Sequence, residues 1–298
     1  MKNKLLSLCI ILTSVVSAQG INLLNVKSPS EFAKKQQAIA DSLENDPGSK
    51  PLEYGVVEDK DIMWSKVVWE VVDMKPLLNQ PYYNSSKGIA GIAQKSLFDA
   101  VKEGLDNGKI KEAYGDDTFS SPIDYKQVWD RLKVKDTTDY GREQMAETGQ
   151  LDPSSVIDWV MKNTDVKMFK VMGMWYVDKK LGEMRYRPLG IAFMGPDMRA
   201  IKEGFDDGTY FDLFWIWYAD ARDVLSKTKV FNGKNNTANI SFDDMINARR
   251  FNSVIYKEQN ADGISIEEKL PSDAEGQLKY GDKIKNGILN TENTLWNQ

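Results

Sequence analysis

The fold is decided by residues 169–194, which read FKVMGMWYVDKKLGEMRYRPLGIAFM. Within Phe169–Val177 the odd-numbered residues form one set and the even-numbered residues form another. This period of two residues is typical of a strand whose two faces differ. Asp178–Gly182 has the composition of a turn, and Met184–Met194 is a second strand-like stretch. The pattern predicts an antiparallel β-hairpin.

A second apolar stretch, Tyr210–Tyr218, reads YFDLFWIWY and is typical of a strand covered on both faces. After it, Asp220 begins a predicted helix, and Ser241 opens a capping-box pattern for another. Ser253–Lys257 is one more strand-like run. Together with the hairpin, these elements predict that residues 153–258 form an α+β lobe with a mostly antiparallel sheet of about four strands.

Residues 51–132 are predicted to form a helical N-terminal lobe. Apolar spacing predicts a helix over Asp61–Met74, although Val67–Val72 is also rich in strand formers. A second helix is predicted over Lys95–Leu105, ended by the Asn-Gly pair at residues 107–108.

Three further segments complete the predicted organisation. Residues 133–152 are polar and predict a linker between the lobes, whereas an acid followed by a proline starts a short apolar helix over residues 152–161. The tail, residues 259–298, is polar. It has a predicted short helix near Lys279–Leu289 and a late apolar anchor at Trp296.

The N-terminus has the pattern of an export signal. Lys2 and Lys4 precede an apolar run, Leu5–Val16, and small residues follow it. A run of twelve residues is well short of the roughly 20 that a membrane-spanning helix needs. We therefore predict a signal peptide over residues 1–18, cleaved on export to the periplasm, followed by a polar arm over residues 19–50.

Composition excludes several chemistries. The chain has no His and a single Cys, Cys9, which lies inside the predicted signal peptide, so His-based nucleophilic catalysis and the usual zinc sites are excluded. The net charge of −5 argues against binding to nucleic acid. Ser226–Lys229 matches Ser-x-x-Lys without its companion motifs, and the EF-hand-like start at Glu258 reaches Lys269 where the loop requires Glu. We predict no catalytic, cofactor-binding or metal-binding residue, and no enzymatic activity.

Ten segments resemble one known family in their order and spacing. They are Glu53–Gly55, Glu58–Ile62, Trp69–Asp73, Gly173–Lys179, Tyr186–Ile191, Asp212–Trp215, Asp220–Leu225, Ile240–Asp243, Arg249–Phe251 and Val254–Glu258. On these segments the chain resembles the GldN (PorN) gliding-motility family, from about Leu23 to Trp296.

This resemblance implies a periplasmic component of the type IX secretion system with no enzymatic activity. It implies a ring below the outer membrane, built with an outer-membrane lipoprotein of the GldK/PorK kind. It also implies contact with a GldM/PorM-like motor component, and it leaves open whether the host glides or only secretes. A ring needs two different surfaces that meet head to tail, and the arm at residues 21–50 is expected to bridge neighbouring copies.

Four residues are predicted to contact partners, because Trp and Arg are frequent energetic centres of protein interfaces. They are Trp215, Trp217, Arg222 and Arg249. The alternative is that the two arginines pair with Asp223 or Asp244 on helix surfaces.

A rival function is a periplasmic glycan hydrolase or glycan-binding protein that works through carboxylates. It predicts a concave site lined by aromatic rings, with two acids about 5–9 Å apart.

Overall fold

The computed structural model describes residues 28, 30, 31, 33, 34, 50–85, 95–205, 208–230 and 240–296. The predicted signal peptide and nearly all of the predicted arm lie outside these residues. The described chain contains both helices and an antiparallel sheet, so the predicted α+β class is confirmed.

Nine strands are assigned in the described residues. They are β1 (Ile62–Asp73), β2 (Ala113–Tyr114), β3 (Pro122–Ile123), β4 (Lys133–Thr137), β5 (Val156–Val160), β6 (Met168–Asp178), β7 (Glu183–Gly195), β8 (Phe211–Trp217) and β9 (Val254–Glu258). Seven of them form one antiparallel sheet in the order β3-β2-β8-β7-β6-β1-β9, and β4 pairs with β5 in a separate small sheet. The prediction of about four strands was therefore too low.

Helices connect these strands. They are α1 (Gln80–Tyr83), α2 (Leu97–Asp106), α3 (Tyr125–Leu132), α4 (Asp139–Thr148), α5 (Met198–Lys202), α6 (Tyr218–Lys227), α7 (Phe242–Asn247), α8 (Ile266–Lys269) and α9 (Ala274–Trp296). Short 3-10 turns occupy Asp59–Asp61 and Pro153–Ser155. The predicted capping box at Ser241 is present, because its side chain accepts the Asp244 N–H and its own N–H is bound by the Asp244 side chain.

The predicted hairpin forms as β6 and β7. Phe169 pairs with Phe193 and Asp178 with Glu183, and Gly182 supplies the left-handed residue of the turn with φ +65°. The strand predicted over Tyr210–Tyr218 is β8, which pairs with β7 on its other side. These three strands form the middle of the sheet.

The helix predicted over Asp61–Met74 is wrong: this segment is β1. It lies between β6 and β9, so its backbone is paired on both edges over Val68–Val71. Val68 and Val72 are buried on the face covered by helices, and Trp69 is buried on the other. A strand buried on both faces is apolar at nearly every position. Its apolar residues therefore also recur at the three- and four-residue intervals that predict a helix.

The segment after residue 132 also differs from the prediction. The predicted linker, residues 133–152, contains β4 and α4, and the helix predicted over residues 152–161 is a 3-10 turn followed by β5. The main sheet takes strands from both residues 51–132 and residues 153–258, so the structure does not confirm two separate lobes. The domain boundaries stay a prediction.

One face of the sheet carries most of the helices. α2, α6 and α7 cover the largest apolar cluster, and α9 covers a smaller one through Ile284 and Ile288. The helix predicted near Lys279–Leu289 is therefore present and extends further at both ends. The opposite face buries Trp69, Ala192 and Trp215, with Phe119 packed over them.

The two outer strands of the main sheet are short or covered. β3 has two residues and begins with a proline. At the other edge, α9 lies against β9 so closely that a β-carbon at Gly281 would come within 2.7 Å of the Ile255 carbonyl oxygen. Sheet edges in stable proteins are commonly blunted in these ways.

Candidate interaction surface

The two tryptophans predicted to contact partners lie on β8. Trp215 is 1 % exposed and belongs to the cluster on the helix-free face. Trp217 is half-buried, and its ring centroid lies 5.0 Å from that of Phe119. Of the two, only Trp217 is therefore partly exposed.

Arg222, on α6, is bound inside the protein. Its Nε and Nη2 atoms donate to the two carboxylate oxygens of Asp243 on α7, both at 3.0 Å. The Tyr218 hydroxyl at 2.7 Å and the Asn247 side-chain amide at 2.9 Å donate to the same carboxylate. Burial lowers the pKa of Arg222, but the hydrogen bond and charge of Asp243 raise it above its ordinary value.

Arg222 also fixes the segment that precedes β1. Its Nη2 atom donates to the Leu52 carbonyl at 2.6 Å, and the Tyr54 ring lies between the guanidinium groups of Arg222 and Arg187, at 3.9 and 4.5 Å. The Tyr54 hydroxyl donates to Asn247 at 2.6 Å. Burial raises the pKa of Tyr54 to about 12, and the charge of Arg222 opposes this rise. Residues 50–58 are thus held by side chains and not by strand pairing.

Arg249, just after α7, is bound to Glu70 of β1. Both of its terminal nitrogens donate to the Glu70 carboxylate at 2.8 Å. The guanidinium carbon lies 4.3 Å from the Tyr186 ring centroid and 4.9 Å from that of Trp175. Burial lowers the pKa of Arg249, but the hydrogen bond and charge of Glu70 raise it above its ordinary value. The pair joins the sheet to the helical layer.

The alternative interpretation of the two arginines named the wrong acids. Both arginines pair within the chain, but with Asp243 and Glu70 instead of Asp223 or Asp244. Asp244 is used to cap α7. The sequence does not show the pairing with Glu70, because that residue lies on a segment predicted to be a helix.

The buried carboxylates are all engaged in contacts that hold the fold. Glu70 and Asp243 each accept from an arginine through both oxygens, Asp61 pairs with Lys180 at 2.5 Å, and Asp178 accepts the Lys180 N–H at 2.9 Å. General acid–base chemistry needs a carboxyl group that reaches a substrate. This arrangement favours a structural role for these acids.

Metal-binding clusters and membrane-spanning helices are absent from the residues that the structure describes. No group of three or more His, Cys, Asp or Glu side chains there has an arrangement suited to a metal ion. Over the same part of the chain, no helix combines the length and the apolar character needed to cross a bilayer.

Exposed apolar side chains are concentrated in residues 133–160, which we call the β4–β5 projection. Five large side chains there, each between 36 % and 69 % exposed, are Tyr140, Met145, Ile157, Trp159 and Val160. α4 buries only its glycine, Gly141, where a β-carbon would come within 2.6 Å of the Ser155 β-carbon. Single exposed apolar residues are ordinary, but a concentration of them marks a candidate interaction surface.

The prediction of partner contacts missed this surface. Its signal is the run Val-Ile-Asp-Trp-Val at residues 156–160, which is rich in β-branched and aromatic residues. The preceding Asp-Pro pair is typical of a helix start and predicts a helix here. In a helix, these apolar side chains would lie on several faces and would not form one surface.

The chain matches the model of a known protein family over most of its length. The family described as "Gliding motility associated protein GldN" matches residues 57–297, from just before β1 to the end of α9. No curated protein matches the chain.

Proposed function

Because the chain belongs to the GldN family of gliding motility associated proteins, we propose that it is a non-enzymatic subunit of a periplasmic ring in the type IX secretion machinery. Family membership makes it a component of the gliding-motility and type IX secretion apparatus. The finer role, as a ring subunit that binds an outer-membrane lipoprotein of the GldK/PorK kind and a GldM/PorM-like motor protein, is our proposal.

One observation carries the proposal: the family match spans every strand and helix from β1 to α9. We therefore assign the role of the family to the whole region from β1 to α9 and not to one part of it. Two features agree with a scaffold. The buried carboxylates are engaged in ion pairs and hydrogen bonds, and the β4–β5 projection offers an apolar surface for contact.

The four predicted contact residues divide into two groups under this proposal. Trp217 is retained as a partner contact, because this residue is partly exposed. Trp215, Arg222 and Arg249 shape the scaffold, since each is packed or paired inside the chain. The cleaved signal peptide over residues 1–18 and the bridging arm remain parts of the proposal.

The test is to purify the tagged full-length protein from its native envelope and to image the particle by electron microscopy. We expect a large ring-shaped particle that contains the lipoprotein. Gel filtration with the purified lipoprotein should give the same large complex. A monomer that ignores the lipoprotein and binds or cleaves glycans would support the rival function.

A deletion tests the arm separately. Removing residues 21–45 is expected to weaken or abolish the ring while the folded body stays intact, as judged by circular dichroism. Unchanged particles after this deletion would show that the arm does not bridge neighbours.

A further inference from the structure

The small sheet of the β4–β5 projection has an open edge. Among the described residues, β5 pairs with β4 alone. The Met161 N–H donates to the Leu132 carbonyl of the β4 side at 2.8 Å. Because backbone groups of an antiparallel strand point alternately toward and away from the partner, the N–H and C=O groups of Val160 and Asp158 point away from β4.

The other end of the strand gives the same alternation. There the Thr138 N–H donates to the Ser155 carbonyl at 2.9 Å, which again turns the odd-numbered residues toward β4. The outward N–H of Val156 closes the preceding 3-10 turn. The groups left for another strand are therefore those of Asp158 and Val160.

This edge lacks the protection that the main sheet has. β3 is very short and begins with a proline, and β9 has α9 against its backbone. β5 is instead five residues of strand-forming sequence, of which four are exposed. An open, apolar edge is a template for a further strand.

The side chains of β5 indicate what such a strand carries. Ile157 and Trp159 lie on one face of the sheet, two residues apart, and both are partly exposed. An incoming strand gains most by placing apolar side chains opposite them, because aromatic and β-branched cross-strand pairs are the stabilising ones.

Charge favours a different protein over a second copy of the chain as the occupant of this edge. Asp158 is the one charged residue of β5 and lies at its centre; its carboxylate pairs with Lys133 of β4 at 2.7 Å, and its side chain stays 44 % exposed. If two copies paired symmetrically about this residue, Asp158 would face itself, which is destabilising. The whole projection is acidic as well. Its acids are Asp136, Asp139, Glu143, Glu147, Asp152 and Asp158, and its bases are Lys133, Lys135 and Arg142.

We infer that the outer edge of β5 binds an extended, basic segment of a partner protein, which joins the small sheet as a third strand. The segment presents apolar residues to Ile157 and Trp159 and a Lys or Arg beside Asp158. This inference rests on the proposed function, since it names one contact surface of the assembled subunit.

The first experiment identifies the bound segment in the native envelope. A photo-reactive amino acid replaces Ile157 in the tagged full-length protein, and the cross-linked peptide is sequenced by mass spectrometry. We expect one segment of a different protein in which Lys and Arg outnumber Asp and Glu. Cross-links to a second copy of this chain, or no cross-link at all from assembled particles, would overturn the inference.

The second experiment tests strand pairing with a matched pair of variants. The cross-linked segment is synthesised as a peptide and titrated against the purified full-length protein. Val160→Pro removes an outward N–H without touching the bonds to β4, and Val160→Ala keeps that N–H while shortening the side chain. Val160→Pro should weaken binding by about tenfold or more, and Val160→Ala by much less.

A charge variant provides an independent readout in case Val160→Pro disturbs the small sheet. Asp158→Lys, which also removes the ion pair with Lys133, should weaken binding of the peptide by about tenfold, and circular dichroism checks that the variant stays folded. Higher salt should reduce the affinity of the unmodified protein. Equal affinity of Val160→Pro, Asp158→Lys and the unmodified protein would refute the inference while intact ring particles still support the proposed function. Absence of any particle with the unmodified protein would instead refute the proposed function.

Discussion

Arg249 and Glu70 are 179 residues apart in sequence and are joined by two parallel hydrogen bonds of 2.8 Å. The bonds connect the end of α7 to strand β1, next to the edge strand β9. Glu70 is almost fully buried, and its charge is matched by this one arginine. The pair therefore adds an ionic link between the two layers to the apolar cluster that joins them.

Removing the arginine should be costly. Arg249→Ala leaves the Glu70 carboxylate buried without its cation, and we expect a loss of about 3–5 kcal/mol in the free energy of unfolding. Urea unfolding followed by circular dichroism measures it. The neighbouring Arg250 is exposed, so Arg250→Ala serves as the control and should change stability by less than about 0.5 kcal/mol.

Two further variants separate charge from backbone strain at this position. Arg249 has φ +51°, a left-handed conformation that costs roughly 1–2 kcal/mol for a residue with a side chain. Arg249→Gly should therefore be less destabilising than Arg249→Ala. The double variant Glu70→Leu/Arg249→Met should regain much of the lost stability, because it removes both charges together. If Arg249→Ala alone were neutral, the pair would not link the layers as described.

The sequence predicts elements that are formed by neighbouring residues better than it predicts which distant strands pair with one another. The β6–β7 hairpin was predictable because its strands are joined by a short turn with Gly182 at the left-handed position. β1 was not, because it is buried on both faces and its pairing with β6 spans about a hundred residues. Val67–Val72 is rich in strand formers, but its apolar spacing fits a buried helix as well, so the local pattern does not decide between them.

The same limit applies to the candidate surface. Trp and Arg are common both at interfaces and in buried networks, and their sequence positions do not separate the two uses. Arg222 pairs with Asp243 only when α6 packs against α7, and Arg249 pairs with Glu70 only when the end of α7 packs on β1. Trp159 is exposed because β5 pairs with β4 outside the main sheet, and this pairing also depends on the tertiary fold.

Gly173 is predicted to be intolerant of any side chain. A β-carbon there would overlap the Tyr186 ring, which packs against Trp175 and Arg249. Gly173→Ala should therefore displace the ring and destabilise the protein by about 1–3 kcal/mol in urea unfolding. Gly55→Ala is the matched control, because open space surrounds that position. Equal stability of the two variants would show that the Tyr186 ring moves aside without cost.

Arg222→Lys is predicted to release residues 50–58. A lysine keeps the charge but cannot bind both Asp243 oxygens, the Leu52 carbonyl and the Tyr54 ring at once. Amide hydrogen exchange over residues 50–58 should become faster, while protection in β6 and β7 stays close to that of the unmodified protein. Arg185→Lys, at an exposed arginine, is the control and should leave the segment protected. Unchanged exchange in Arg222→Lys would mean that other contacts hold the segment.

Tyr54 is predicted to make stability fall at alkaline pH. Its pKa rises from 10.0 to about 12 in the folded protein, chiefly through burial, so the folded state holds the hydroxyl proton more tightly than the unfolded chain does. The stabilising contribution is complete below pH 10 and is lost as the pH rises toward about 12. Burial raises the pKa values of Tyr82, Tyr186 and Tyr256 too, and the unmodified protein should therefore lose stability steeply over this range.

Tyr54→Phe isolates the contribution of one ring. The variant has no hydroxyl to ionise, so its free energy of unfolding should decline less between pH 10 and pH 12 than that of the unmodified protein. At neutral pH the free energy of unfolding of the variant should be lower by about 1 kcal/mol, because the hydrogen bond to Asn247 is lost. Urea unfolding at a series of pH values measures both effects. Parallel stability curves for the two proteins across the alkaline range would mean that the Tyr54 hydroxyl ionises as readily in the folded protein as in the unfolded chain.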